Sequence, residues 1–151
     1  MAATRLDELE LRAWQALLHA HHDVVDALDE ELRDGHGVTF SEYDVLVRLG
    51  RAPERTLTMG ELAERTMLSP SGTTRLVDRL EASDLITRRP ALEDGRVMLA
   101  SLTPAGLKLV RGAARTHLRG IRDHFTGRLT EPQLEQVASA LESIAGPHVP
   151  H

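Results

Sequence analysis

Several residue types and patterns are scarce or missing in this sequence of 151 residues, and each absence narrows what the chain can do. It has no cysteine, which excludes disulfides, thiolate metal ligands and a cysteine nucleophile. Only 3% of its residues are aromatic, so the core must be aliphatic. No run approaches the roughly 18 apolar residues of a membrane span, and the N-terminus lacks a signal-peptide pattern. We therefore expect a cytoplasmic protein with one domain.

Lysine is almost absent as well, since all 18 basic residues except Lys108 are arginines, a bias typical of GC-rich bacterial genomes. The formal net charge is -5, whereas proteins that bind nucleic acid are usually basic. The negative charge is concentrated at the two ends, with net -6 in residues 1–34 and net -3 from residue 129 onward. Residues 48–96 carry net +1 and residues 97–128 net +5, so the middle of the chain can approach an anion.

Apolar spacing and capping signals predict the helices. Apolar residues from Leu6 to Leu32 recur every three or four positions, which predicts a long helix over about residues 5–33 that stops near Gly35 and Gly37. A hydroxyl residue with an acidic or amide partner three positions on, or with a proline next to it, marks each later start. These starts are Thr39 with Glu42, Thr58 with Glu61, Ser69 with Pro70, Thr103 with Pro104, and Thr130 with Gln133.

Two β-prone runs, residues 85–89 and 96–102, follow the helix that begins at Ser69 and extends to about Ser83. They flank a loop with Pro90 and the turn dipeptide Asp94-Gly95, which predicts a hairpin. A helix–turn–helix followed directly by a two-stranded hairpin is the winged form of the DNA-binding motif. Its second helix enters the major groove, and its hairpin reaches the neighbouring minor groove.

A helical wheel divides the second helix of this motif, residues 70–83, into two faces. Leu76, Val77, Leu80 and Thr73 share one side, and the opposite side presents small hydroxyls, an arginine and Asp78. Hydroxyls bond phosphates or base edges, and arginine pairs with guanine O6 and N7 together. We expect Asp78 to orient Arg75. The candidate DNA-binding residues of this motif are Ser69, Ser71, Thr73, Thr74, Arg75 and Arg79.

The hairpin adds three further candidates, Arg88 on its first strand and Asp94 and Arg96 at its tip. An arginine at a protruding tip suits a narrow, electronegative minor groove. We expect the Asp94 carboxylate to hold the Arg96 guanidinium in a bidentate geometry before it docks.

These residues and their order resemble the MarR family of winged helix–turn–helix regulators. The matching stretches are YDVLVRL, LTMGELAERTMLSPSGTTRLVDRLEASDLITRR, EDGRVML and SLTPAGLKL, within about residues 40–110. The resemblance implies a mainly α fold with a small β-hairpin wing and a helical dimerisation layer. It also implies a homodimer that reads an inverted repeat in double-stranded DNA. Family wings usually carry Asp-Arg-Arg, but the middle position here is Gly95, so the resemblance carries over the roles of Asp94 and Arg96 and does not carry over the phosphate contact of the middle arginine.

We therefore expect one intertwined domain with three regions. Residues 1–38 would form an N-terminal dimerisation helix, residues 39–103 the DNA-binding region and residues 104–147 the C-terminal dimerisation helices. The expected function is a sequence-specific repressor released by a small molecule.

A urate-responsive branch of the family resembles this chain further, through a tryptophan on the first helix, an aspartate on the second, and arginines on the recognition helix and wing. The corresponding residues are Trp14, Asp44, Arg75 and Arg88. The resemblance implies a small aromatic or anionic effector that competes for the two arginines and withdraws the recognition helix from DNA.

Basic residues also form a row on the fifth predicted helix, at Lys108, Arg111, Arg115, Arg119 and Arg122. A second nucleic-acid surface is one interpretation, and pairing with the acidic first and terminal helices is the favoured one. Apolar stripes on the first, fifth and terminal helices need a partner, which favours a dimer.

Three other function classes compete with the DNA-binding repressor. Of the eight histidines, His21 and His117 fall on apolar stripes, so a metal-responsive regulator stays open, although no ligand spacing predicts a metal site. A winged-helix protein-interaction module without DNA binding also stays open. We expect no enzyme and no cofactor, because no nucleophile–base pair or phosphate loop is present.

Overall fold

The computed structural model describes residues 5–66 and 68–145, so residues 1–4, 146 and 147 of the predicted dimerisation regions lie outside the described part. The described part is mainly helical with one small sheet, which confirms the predicted fold class. The elements in chain order are α1 (Glu8–His36), α2 (Phe40–Arg51), β1 (Thr56–Thr58), α3 (Met59–Thr66), α4 (Pro70–Ala82), β2 (Ile86–Pro90), β3 (Met98–Leu102), α5 (Pro104–His124) and α6 (Glu131–Glu142).

Helix α1 begins and ends close to where the sequence predicts. The Asp7 carboxylate accepts the backbone N–H of Glu10, and the Glu10 carboxylate accepts the N–H of Asp7, both at 2.8 Å. At the other end, Gly37 adopts a left-handed conformation with φ of 70° and donates its N–H to the Arg33 carbonyl. Glycine adopts this conformation without steric cost, which explains why the helix stops there.

The predicted starts of the later helices are also confirmed. In each pair, a hydroxyl, carboxylate or amide oxygen accepts a backbone N–H that has no partner within the first helical turn. The bonds, of 2.8 to 3.1 Å, involve Thr39 with Glu42, Thr58 with Glu61, Ser69 with Gly72, Thr103 with Gly106, and Thr130 with Gln133.

The sheet has three antiparallel strands in the order β1–β3–β2, whereas the sequence predicted only the hairpin. The added strand β1 pairs Leu57 with Ala100 and places Leu57 in the core. Three residues are too few for apolar alternation to show, so β1 was missed. The predicted strand from residue 96 begins two positions later, at Met98, because a turn closes between the Asp94 carbonyl and the Val97 N–H at 3.0 Å.

The main core lies inside the winged domain and is aliphatic, as the composition requires. One face of α4 packs onto α2, α3 and the sheet, which together exclude water from it. The buried members are Val45, Leu46, Leu49, Ala52, Leu57, Leu62, Leu76, Val77, Leu80, Ile86, Ala100 and Leu102.

A second core cluster joins the C-terminal half of α1 to α2 and α5, and contains Leu32, Val38, Tyr43 and Ala113. Helices α1 and α5 approach closely at Gly120, where an added Cβ would lie 2.6 Å from Leu28 Cδ2. This seam positions the long helices relative to the winged domain.

The N-terminal half of α1 and all of α6 do not bury a single residue within the chain. Large apolar side chains remain exposed along them, beside their outer ends and at the end of α5, and single monomers rarely expose large apolar patches. They include Leu6, Leu9, Leu11, Trp14, Leu17, Leu18, Leu118, Phe125, Leu141 and Ile144. In the described ranges, no helix combines the length and hydropathy needed to span a bilayer.

Candidate nucleic-acid interface

Helix α4 is held by its buried side, which leaves its N-terminal half turned outward. Ser69 caps the helix, and Pro70 occupies its first position, where a missing N–H costs nothing. Leu76, Val77 and Leu80 are at most 4% exposed. The opposite face of α4 is therefore free to meet a ligand.

The outward face presents hydroxyls and one long cation, as the wheel predicts. Ser71, Thr74 and Arg75 are all exposed. The Thr74 hydroxyl donates to the Pro70 carbonyl at 3.0 Å, which leaves its lone pairs directed outward. Within the described part of the chain, Arg75 has no hydrogen bond or ion pair. It is the long side chain of this face that can reach a base edge.

Thr73 corrects one sequence-based assignment. It was predicted to contact DNA, but it is only 1% exposed and its hydroxyl donates to the Ser69 carbonyl at 3.0 Å. A residue buried under its own helix cannot reach a ligand, so Thr73 is part of the core of α4.

Arg79 lies on the flank of α4 and forms an ion pair while staying largely exposed. Its Nε donates to Glu42 Oε1 at 3.2 Å, while 59% of the side chain remains exposed. The same Glu42 caps α2, so Arg79 links the recognition helix to the helix behind it.

Arg88 on β2 is held by two carboxylates of α4. Its Nη2 lies 2.6 Å from Asp78 Oδ1 and 2.9 Å from Glu81 Oε1, and its backbone N–H donates to Glu81 Oε2 at 2.9 Å. The hydrogen bond from Arg88 lowers the pKa of Glu81, and its bond to Glu81 raises the pKa of Arg88 further. Asp78 was expected to orient Arg75 and instead binds Arg88, because β2 brings that guanidinium alongside α4.

The wing tip carries a cation that is almost fully exposed. The Arg96 side chain is 95% exposed, and its Nε lies 4.0 Å from Asp94 Oδ1, so the expected bidentate pair is absent. Asp94 instead accepts the backbone N–H of Arg96 at 3.0 Å and stabilises the turn. The guanidinium therefore extends into solvent.

A groove of about 520 Å³ lies between α4, the wing and the start of α3. It brings together three of the predicted residues, Thr74, Arg88 and Arg96. The sequence did not predict the lining residues near the start of α3, because the capping box of Thr58 and Glu61 indicated only where a helix begins. The remaining lining residues are Thr58, Met59, Gly60, Val97 and Met98.

Comparison with known proteins agrees with this geometry. A family model described as the MarR family matches residues 36–97. The transcriptional repressor MdtR of Bacillus subtilis (strain 168) is 33% identical over 116 residues, which cover 76% of this chain and 72% of MdtR. The crystal structure of AbsC, a MarR family transcriptional regulator from Streptomyces coelicolor, is 30% identical with a TM-score of 0.88, covering 94% of this chain and 95% of AbsC.

The chain belongs to the MarR family. Its relatives are transcriptional regulators, which confirms the expectation that it is not an enzyme. Sco3205, another MarR family regulator from Streptomyces coelicolor, was crystallised in complex with DNA. It has a TM-score of 0.88 and 28% identity, and the match covers 93% of this chain and 91% of Sco3205.

The four residues expected to bind an effector in this MarR protein do not form one cluster. Trp14 is 53% exposed, on the N-terminal half of α1, where none of the described residues is buried. Asp44 on α2 pairs with Arg48 at 2.8 Å between Oδ2 and Nε, and Arg88 pairs with the two α4 carboxylates. No contact within residues 5–66 and 68–145 joins Trp14 to the other three.

The histidines separate into different environments. His117 packs against Tyr43, His36 bonds Thr116 Oγ1 at 2.9 Å, and His124 bonds Glu31 Oε1 at 2.8 Å. Across the described residues, no group of three or more histidine or acidic side chains is placed to hold a metal ion. The metal-responsive alternative therefore gains no support from their arrangement.

Proposed function

We propose that this MarR family protein is a homodimeric repressor that binds an inverted repeat in double-stranded DNA through α4 and the wing. The observation that carries the proposal is the exposed N-terminal face of α4, with Ser71, Thr74 and Arg75, next to the wing-tip Arg96. A helix inserted in the major groove meets base edges with its N-terminal residues, and a tip arginine suits the adjacent minor groove. Such a regulator acts in the cytoplasm, where the bacterial chromosome lies.

The charge distribution supports this assignment in spite of the net charge of -5. Most of the excess acid belongs to α1 and the C-terminal segment, away from α4 and the wing. The N-terminus of α4 adds backbone N–H groups and a positive dipole end that do not enter the formal charge. The surface offered to DNA is therefore less acidic than the chain as a whole.

The three predicted regions remain part of the proposal. Residues 39–103 contain the complete main core and would form the DNA-binding region. Residues 1–38 and 104–147 would form the dimerisation layer, because the exposed apolar residues of α1, α5 and α6 lie there. Supporting this, neither α6 nor the first half of α1 has a buried residue within its own chain.

Mobility shift and footprinting on the intergenic DNA upstream of the protein's own gene test the proposal. We expect a protected inverted repeat whose half-sites lie about 10 bp, one helical turn, apart. Arg75→Ala should weaken binding, whereas Arg51→Ala, an exposed arginine at the end of α2, should bind as the unaltered protein does. Failure to bind any fragment more tightly than random DNA would favour the protein-interaction alternative.

We also propose that a small aromatic anion releases the DNA, through Trp14, Asp44, Arg75 and Arg88. Arg75 is exposed and forms no ion pair in the described part of the chain, so an anion that bound Arg75 would occupy the arginine with which α4 is proposed to meet DNA. Ligand binding and DNA binding by α4 would then exclude each other.

Urate is the probe for this second proposal, and the chain's single tryptophan supplies the signal. Titration with urate should change the emission of Trp14 and release a labelled operator over the same concentration range. Asp44→Asn should shift both curves together. Release without a change in emission would remove Trp14 from the site, and no release at any concentration would exclude urate.

A further inference from the structure

We propose that Arg88 is a positioning residue that fastens the wing to the recognition helix, and that it is not a phosphate ligand. The proposal rests on the proposed DNA binding of α4 and the wing. We call Arg88 with its two partners, Asp78 and Glu81, the latch. Both carboxylates lie on the same face of α4 because they are three positions apart.

The contacts of the latch use both the side chain and the backbone of Arg88. Its Nη2 bonds Asp78 Oδ1 at 2.6 Å and Glu81 Oε1 at 2.9 Å, and its Nε lies 3.4 Å from Glu81 Oε2. Strand β2 is at the edge of the sheet, so part of its backbone lacks a partner strand. Glu81 Oε2 accepts the Arg88 N–H at 2.9 Å, which ties this edge to the end of α4.

Exposure and charge both argue against phosphate binding by Arg88. Its side chain is 22% exposed, compared with 95% for Arg96 at the tip. One guanidinium and two carboxylates give the latch a net charge of -1 when all three are ionised. A phosphate would have to displace a carboxylate that is already in bonding contact, and the second carboxylate would still repel it.

The latch also explains why an acidic residue lies on the outward face of the recognition helix. A carboxylate such as Asp78 on a surface that meets DNA would repel phosphates unless it is paired. Its bond to Arg88 joins α4 to the strand that carries the wing. The wing tip with Arg96 then keeps a set position relative to Arg75, so major- and minor-groove contacts form together without an ordering cost at binding.

Single substitutions at Asp78 and Arg88 distinguish a positioning role of Arg88 from phosphate binding. The two interpretations predict opposite effects of Asp78→Asn on operator affinity. If Asp78 were only an acid near DNA, Asp78→Asn would bind the operator as tightly or more tightly. If it holds the latch, Asp78→Asn and Arg88→Ala should each weaken binding by about tenfold, within the usual range for coupled neighbours. The double variant, Asp78→Asn with Arg88→Ala, should bind the operator no more weakly than either single variant does.

The salt dependence of operator binding gives the second readout, with Arg96→Ala as the matched control on the same wing. Loss of a phosphate contact lowers the slope of log affinity against log salt by about 1. Arg88→Ala should leave the slope unchanged, and Arg96→Ala should lower it. A reduced slope for Arg88→Ala, or Asp78→Asn binding at least as tightly as the unaltered protein, would overturn the proposal.

Hydrogen exchange without DNA keeps the latch testable if the proposed DNA binding is itself wrong. Arg88→Ala and Asp78→Asn should both speed exchange in residues 86–102 and leave residues 104–124 of α5 unchanged. The double swap Asp78→Arg with Arg88→Asp should restore part of the protection. Unchanged exchange across the wing in both single variants would also overturn the latch, whatever DNA the protein binds.

Discussion

The imidazole of His117 packs against the ring of Tyr43, with centroids 4.9 Å apart and planes inclined by 53°. Phe40 lies on the same imidazole, at 6.0 Å between centroids. Burial lowers the pKa of His117, and the negative charge of Asp44 only partly opposes this effect. His117 is therefore neutral in the folded protein at neutral pH, and it contributes as a ring that packs α5 onto α2.

Stability should consequently fall as the solution becomes acidic. The unfolded chain binds a proton on His117 near pH 6.5, whereas the folded chain binds it only at lower pH. The contribution of His117 to the free energy of unfolding is fully present above about pH 6.5. It decreases below that pH, by at most about 1.4 kcal/mol per pH unit. Chemical denaturation at fixed protein concentration between pH 7.5 and about 5.5 measures this decrease.

His117→Phe should flatten the acid side of that curve, because phenylalanine keeps the ring and removes the titration. His19→Gln, at an exposed position on α1, is the control and should follow the unaltered curve. Equal steepness in the His117→Phe variant and the unaltered protein would show that His117 does not set the pH dependence.

Gly120 is expected to be intolerant of a methyl group. An added Cβ would lie 2.5 Å from Glu31 Oε2 and 2.6 Å from Leu28 Cδ2, so these two side chains, which pack between α1 and α5, would have to shift. Gly120→Ala should lower the free energy of unfolding by about 1–3 kcal/mol, as overpacked cores do. This loss outweighs the gain in helix propensity, which is about 1 kcal/mol.

Gly112→Ala is the matched control on the same helix. Nothing lies within 4 Å of a Cβ built there, so the substitution should stabilise the protein by up to about 1 kcal/mol. Thermal unfolding of the two variants, under identical conditions, compares them directly. Similar midpoints would mean that the α1–α5 seam yields more easily than its packing indicates.

The sequence predicted the elements well where local chemistry decides them. The capping pair Thr39 and Glu42 and the Ser69–Pro70 start are local signals, and a helix begins at each. Strand β1 was missed because its partner, β3, is more than forty positions away and three residues show no period. Strand pairing at that separation is set by the fold and leaves no local trace.

Side-chain partners at the site were predicted less well than elements. Asp78 was assigned to Arg75 on its own helix, but the partner is Arg88, brought in by β2. Glu81 is three positions from Asp78 on the same face, and this spacing was the available signal for a two-carboxylate site. The wheel placed Thr73 correctly on the buried side, and its assignment to DNA contradicted that placement.

Arg96→Ala should weaken operator binding and leave folding unchanged. The side chain is 95% exposed, and its one ion pair with another described residue is the 4.0 Å approach to Asp94, so its removal disturbs no packing. Mobility shift at several salt concentrations from about 50 to 200 mM measures affinity and slope together. The slope for the unaltered protein should be steep in spite of the acidic composition. Unchanged affinity of the variant would show that the wing tip does not contact DNA.

The basic row on α5 leads to the last prediction. Lys108, Arg111, Arg115, Arg119 and Arg122 are all exposed, and in the described part of the chain none of them forms an ion pair. The favoured pairing with acidic helices therefore does not occur within one chain. The row extends about 21 Å along α5, opposite the face that packs on α1.

Helix α6 offers a matching surface for a second copy of the chain. Its exposed carboxylates Glu131, Glu135 and Glu142 share one face, and its apolar residues Leu134 and Leu141 lie on another. Seating α6 of one protomer along α5 of its partner would cover the apolar residues and bring the carboxylates toward the basic row. Dimerisation should then weaken between about 0.1 M and 1 M salt, because screening shortens from about 10 Å to 3 Å.

Sedimentation equilibrium of the unaltered protein and of Arg115→Glu measures this effect. The charge reversal should weaken the dimer and reduce its salt dependence, whereas Arg51→Glu on α2 should change neither. A dimer that tightens with salt would be held by apolar burial alone. If Arg115→Glu instead leaves the dimer intact and weakens operator binding at saturating protein, the basic row is a second nucleic-acid surface.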